Sequence, residues 1–182
     1  ACPPGLSSSR WTATSCKATY PPAMNQDIPI PAPGFVPMCR ISCEVGALEV
    51  LGIAPAGQRR CVPLTGGTVD GPEFRGEIVS GGVDWQWQHA DGTLEIDAHY
   101  MLKAASDGAL IEVRSAGLRH GPADVMRRLA LGEPVDPAQY FFRTCVRFTT
   151  GAPAWLHLNR TIAIASGRRE ATRVLLDLWR LT

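Results

Sequence analysis

The sequence lacks an excess of charge of either sign. Its 182 residues hold 18 Lys and Arg against 17 Asp and Glu, a formal net charge of +1. It has no basic stripe and no basic run interleaved with aromatics, so no nucleic-acid partner is expected. It has no apolar run near the ~20 residues that a spanning helix needs, so no membrane span is expected. It contains no GxSxG elbow, no Walker A loop and no GxGxxG, which leaves hydrolase-elbow and nucleotide-binding readings without support. Its 4 histidines (His89, His99, His120, His157) form neither HxH nor HExxH, and no CxxC pair occurs. No metal site is therefore expected, and no cofactor is implied. No alternation of strands with helices is present, which excludes a βαβ organisation.

What the sequence has in quantity is turn residues. Its 18 Gly and 15 Pro favour a turn-rich, mainly β fold, and the length suits one domain. Residues 1–37, with SSS, YPPA and IPIPAPG, read as an irregular N-terminal extension. Residues 38–182 read as the folded domain. Strand-like runs fall at 38–51, with a break at Gly46, and at 58–64, 74–79, 84–89, 93–104, 109–115, 141–149, 154–166 and 173–181. TGG (65–67) and Ser80-Gly81-Gly82 read as turns between strands, and Asp91-Gly92 and Asp107-Gly108 as hairpin turns. One short helix is expected, opened at 121–124 and stopped by Gly132. About eight to ten strands at regular spacing predict a closed antiparallel β-barrel.

The cysteines are Cys2, Cys16, Cys39, Cys43, Cys61 and Cys145. The chain opens on Ala1 without an initiator Met, which reads either as a cut in a longer sequence or as a mature N-terminus left by signal-peptide removal. Six cysteines favour the second, and so a secreted or periplasmic protein with up to three disulfides. The alternative is a cytosolic protein with incidental buried thiols. In an extended segment Cys39 and Cys43 lie roughly 13 Å apart, too far to bond to each other. Cys2 and Cys16 are then their nearest candidate partners, leaving Cys61 and Cys145 for one another.

The motifs TGG (65–67), GP (71–72), GGVDW (81–85), DAHY (97–100), DGALI (107–111), GLRHGP (117–122), GEPVDP (132–137), YFFRT (140–144) and LNR (158–160) occur densely and in order. In these the chain resembles the domain-of-unknown-function family 3237, a family of small bacterial and fungal proteins, over roughly 38–181. The resemblance implies a β-barrel with a central cavity and implies no known substrate. The chain departs from the family pattern at His99, Ser115, Thr149 and His157, where the family usually has a basic residue, Asn, an acidic residue and an aromatic. The N-terminal extension and its cysteines lie outside the pattern.

Strand alternation puts Asp97 and His99 on one face, Arg143 on a face with Phe141 and Cys145, and Asn159 on a face with His157 and Thr161. An interior built from these would supply a general base (Asp97), a charge stabiliser (Arg143) and polar contacts from His99, His157 and Asn159. The alternative is an exposed outer face or a structural Asp–Arg pair. Asn159-Arg160-Thr161 is also an N-glycosylation pattern, in conflict with a buried Asn159. Asp84 is a second candidate base, or a turn cap, and Trp85 a candidate pocket wall beside it. Tyr100 and Tyr140 offer phenols to a ligand. Two functions follow. One is a cofactor-free acid–base enzyme of isomerase, cyclase or dehydratase type acting on a small apolar or aromatic carbonyl compound in the barrel. The other is a secreted lipocalin-like binding barrel without turnover. Both a monomer and a homodimer remain open.

Overall fold

The computed structural model describes residues 30–182. Among these the chain runs through β1 (Phe35–Val45), β2 (Glu49–Ala54), β3 (Gly57–Asp70), β4 (Gly76–Gln88), β5 (Leu94–Ala104), β6 (Leu110–His120), the helix α1 (Ala123–Ala130), β7 (Phe141–Thr149), β8 (Ile162–Arg169) and β9 (Arg173–Leu181). All strand pairings are antiparallel, in the order β1-β9-β8-β7-β6-β5-β4-β3-β2, and a β1–β3 pairing closes the ring. Eight strands therefore form a closed barrel, and β2 is an additional strand on the first half of β3. Closure leaves the barrel wall without an unpaired edge. Among the described residues no helix is long and apolar enough to cross a membrane.

Two glycine-rich segments that read as turns are bends inside long strands. The register of β3 against β4 shifts between Leu64 and Thr68, and that of β4 against β5 shifts between Val79 and Val83. TGG and Ser80-Gly81-Gly82 are thus facing β-bulges: the first lets the expected strand over 58–64 run on to Asp70, and the second fuses the expected strands 74–79 and 84–89 into one long bent strand. A bulge leaves residues unpaired and sharpens the bend, which lets the second half of β3 reach β1. Gly67 makes that approach possible. Its φ is +137°, and a Cβ there would lie 2.1 Å from the Ser42 carbonyl oxygen. Gly67→Ala should lower stability by at least ~2 kcal/mol in a urea titration. Gly81→Ala should cost only about 1 kcal/mol, because Gly81 shares a positive φ but has open space around it.

The expected strand over 154–166 is a 3-10 helix, Pro153–Arg160, followed by β8. Pro153 starts the helix, and Trp155 and Leu158, three residues apart on one side of it, pack into the barrel end. A second 3-10 turn, Pro137–Gln139, was not foreseen; Asp136 caps it by accepting from the Ala138 amide. The helix at α1 is where the sequence puts it, with Val125 and Leu129 buried and Gly132 closing it at φ +77°.

One half of the barrel is filled. Met38, Phe74, Ile78, Leu102, Trp155 and Leu158 belong to a continuous apolar core. There the Phe74 and Trp155 rings meet edge to face at 5.1 Å, and the Trp155 indole N–H donates to Asp107 at the β5–β6 turn. The other half, toward the β4–β5 turn and α1, is hollow.

No two of the four described cysteines are joined. Cys39 and Cys43 face inward on β1 and are buried. The expected Cys61–Cys145 bond is absent. The two residues sit on the outer faces of β3 and β7, with β4, β5 and β6 between them, which puts them roughly 19 Å apart along the wall at ~4.8 Å per strand. Cys2 and Cys16, the expected partners of Cys39 and Cys43, lie outside the described residues.

Candidate functional site

The hollow half holds a cavity of about 370 Å³. Val62, Leu64, Leu94, Ile96, Phe142 and Leu176 are among the apolar residues that line it, and Ala123, Met126 and Leu129 of α1 line it as well. Into this apolar space the strands insert a small polar set. Asp84 comes from β4, Arg60 from β3, Tyr100 from β5, Arg119 from β6, Arg169 from β8 and Cys43 from β1. Asp84 is cross-strand neighbour to Ala98, and Ala98 to Ser115. Further round the wall, on β6 and β7, Ser115 and Thr144 form a hydroxyl pair, with Ser115 Oγ donating to Thr144 Oγ1 at 2.8 Å.

Asp84 is the centre of this set. The Arg60 Nε donates to Gln86 Oε1 at 3.0 Å and its Nη1 to Gln88 Oε1 at 2.8 Å. With its oxygen so occupied, Gln86 turns its amide N–H toward Asp84 and donates to Oδ2 at 2.5 Å. The other carboxylate oxygen, Oδ1, is buried without a partner, as are the Tyr100 hydroxyl and the Arg119 Nε. Each such group commonly costs about 1–3 kcal/mol, and all three line this one cavity. Burial pushes the Asp84 carboxyl up to about 6 despite the Gln86 hydrogen bond and the positive charges of Arg119 and Arg60. Burial likewise lowers Arg119 to about 10, raises Cys43 to about 12 and drives Tyr100 upward. At neutral pH the cavity therefore holds an ionised Asp84 with a nearly neutral pKa, a charged Arg119 whose guanidinium lies 5.5 Å over the Phe142 ring, and a neutral Cys43 thiol.

Most of the residues chosen from sequence lie elsewhere. On β5 the even positions from Leu94 to Ala104 are buried and the odd ones face out. Asp97 and His99 are consequently on the outer surface, and Asp97 accepts two hydrogen bonds from Arg114 there, each 3.0 Å. On β7 the same alternation turns Arg143 outward, where it donates to the Phe142 carbonyl and lies over Phe141. Trp85 also points out, 37% exposed, with Arg59 held between it and Trp87. Tyr140 is buried, but its hydroxyl accepts from the Arg169 amide and ties the chain after the 3-10 turn to β8. His157 is exposed on its 3-10 helix beside Trp155. Asn159 is a loop staple rather than a cavity group. Its Oδ1 accepts from the Thr150 amide, and its Nδ2 donates to the carbonyls of Thr150 and Leu156. Asn159→Ala should cost about 1–3 kcal/mol in a denaturant titration and leave ligand binding in the cavity unchanged.

Of the nine residues, Asp84 and Tyr100 reach the cavity. Sequence reasoning missed Arg60, Gln86, Ser115, Arg119, Thr144 and Arg169. A signal for several of them was present, since each interrupts an otherwise apolar alternate row: Arg60 with Val62 and Leu64, Arg119 and Ser115 with Val113 and Ile111, Thr144 with Phe142 and Val146. Among the described residues no group of three or more His, Cys, Asp or Glu gathers as a metal site.

The family model for the protein of unknown function DUF3237 matches residues 33–181. A UPF0311 protein of Rhodopseudomonas palustris (strain TIE-1) is 36% identical over 138 residues, 76% of this chain and 90% of its own. The crystal structure of a conserved protein of unknown function from Rhodopseudomonas palustris matches with a TM-score of 0.80 at 33% identity, over 84% of this chain and 100% of that one. The hydroalkoxylation enzyme phnH of Penicillium herquei is 48% identical over 50 residues, 28% of this chain and 32% of its own. The crystal structure of an enzyme from the same fungus shares the fold, with a TM-score of 0.63 at 24% identity over 85% of this chain and 98% of that one.

Proposed function

The chain belongs to the DUF3237 family, and we propose that it is an acid–base enzyme, of isomerase, cyclase or dehydratase type, working without a cofactor on a small, largely apolar carbonyl compound held in the barrel. The observation that carries this reading is the set of three buried, unpartnered polar atoms, Asp84 Oδ1, Tyr100 Oη and Arg119 Nε, lining one apolar cavity. Asp84 Oδ1 is the general base, because Gln86 occupies the other oxygen. A carboxyl with a pKa of about 6 is ionised at neutral pH yet basic enough to take a proton from carbon or oxygen. Arg119 and the Tyr100 hydroxyl receive the negative charge that the substrate oxygen gains, in a site where little water screens it. That one relative is named a hydroalkoxylation enzyme supports chemistry, rather than storage, in a barrel of this kind.

The test needs no knowledge of the natural reaction. Aryl ketones such as 1-tetralone and 2-tetralone are incubated in D₂O, and loss of the α-proton signal is followed by NMR. The protein should accelerate exchange well above buffer. Ketones that bind, as shown by line broadening, yet exchange at the buffer rate would instead support the binding-barrel reading.

A further inference from the structure

The charges in the cavity do not balance. Arg60, Arg119, Arg127 and Arg169 line it against Asp84 and Asp91, a net charge of +2. Asp91 and Arg127 are solvent-exposed, and their charges cancel in the sum. Inside, three arginines face one carboxylate. Arg60 is bonded to two neutral amides, Gln86 and Gln88, and Arg169 Nη1 to a neutral carbonyl, that of Arg173. Arg119 and Arg169 each feel Asp84, and Arg119 is further destabilised by Arg169 and Arg60. Proton abstraction does not cure the imbalance. Moving a proton from ligand to Asp84 only relocates one negative charge, and the interior stays at +2 before and after. Arg119 is buried and Arg60 and Arg169 are half-buried; cations drawn out of water without a counter-charge are costly, so a neutral ligand leaves this imbalance as it finds it.

We infer that the ligand of this cavity is an apolar molecule carrying one acidic oxygen group, bound as its anion against Arg119 and Arg169. A carboxylate and an acidic enol or phenol share the needed chemistry, a compact oxyanion that accepts from guanidinium N–H groups. The hydrocarbon part lies against Leu64, Leu94, Ile96 and Leu176, and the oxyanion meets the unpartnered Arg119 Nε. This deepens the proposed function by naming the ligand class. It rests on that reading only for the choice of cavity, because equilibrium binding registers it with or without turnover.

Titration calorimetry on the whole chain tests it with matched pairs. 1-Naphthoate against methyl 1-naphthoate reads a carboxylate. 4-Nitro-1-naphtholate against its methyl ether reads a phenolate. In at least one pair the anion should bind on the order of tenfold to a hundredfold more tightly than its neutral partner; the pair that shows this identifies the source. Arg119→Met and Arg169→Met should each reduce that ratio by about tenfold, and Arg169→Lys should keep most of it. Ratios near one in both pairs, or a ratio that neither Met variant changes, would overturn the inference. Should Arg119→Met fail to fold, the native ratios and Arg169→Met, at a half-buried strand end, still decide. Failure here with ketone exchange intact would reject the anion and spare the acid–base scheme.

Discussion

Asp84→Asn should lower α-proton exchange by about 10²–10⁴-fold and at the same time stabilise the barrel at alkaline pH. The first effect follows from replacing a base by an isosteric amide that cannot accept a proton. The second follows from linkage. The folded-state pKa of Asp84 is raised from 3.8 to about 6, so the folded protein holds this proton more tightly than the unfolded chain. Stability from this group is present below about pH 4 and falls as pH rises through about 6. Above that the loss is about 3 kcal/mol. Asparagine carries no charge and removes the dependence. Urea titrations at pH 5 and pH 8 should show the native protein losing stability between them and the variant losing much less. A variant that is both inactive and less stable at pH 8 would make Asp84 a structural residue. Loss of activity with a gain in stability marks a group kept for chemistry.

The barrel was legible because its signals are local. Asp91-Gly92 and Asp107-Gly108 set two hairpins, and strict alternation from Leu94 to Ala104 marks β5. The 3-10 helix at 153–160 was not, because Leu156 and Leu158 fit a period of two while Trp155 and Leu158 fit a period of three. Only tertiary contacts, Trp155 and Leu158 against the barrel end, decide between them. The site was legible only at Asp84 and Tyr100, for a different reason. The alternation that separates the two faces of a strand does not say which face is inside. The charged row of β5, Asp97 with His99, suggested an interior ligand site, but the apolar row carrying Tyr100 is the one that faces in. A lone polar residue within an apolar row is the more telling sign, as Arg119 and Ser115 on β6 illustrate. Asp84 sits in a bulged strand whose rows are mixed, so its direction depends on the register shift between Val79 and Val83.

Arg119→Met should lower exchange by about 10²–10³-fold, the usual effect of losing one donor to a developing oxyanion, and it should also move the pH profile. In the native protein exchange requires ionised Asp84, so the rate rises through about pH 6. It then stays level until Arg119 begins to lose its proton near 10. The groups that set the lower limb come from β3, β4, β5 and β6. Gln86 on β4, Arg119 on β6 and Arg60 on β3 favour the anion, while Asp97, across the β5 wall, opposes it. Arg169 on β8 faces the same charge, and Cys43 on β1 and Tyr100 on β5 remain neutral at these pH values. Removing Arg119 withdraws one stabilising cation, so the lower limb should shift above pH 6 and the upper limb near 10 should vanish. Gln86→Leu should shift the lower limb the same way while keeping the upper one, because it removes the hydrogen bond to Oδ2 and leaves Arg119 in place. A slower Arg119→Met enzyme with both limbs unmoved would mean that Arg119 only packs against Phe142, and that the charge on the substrate is met elsewhere.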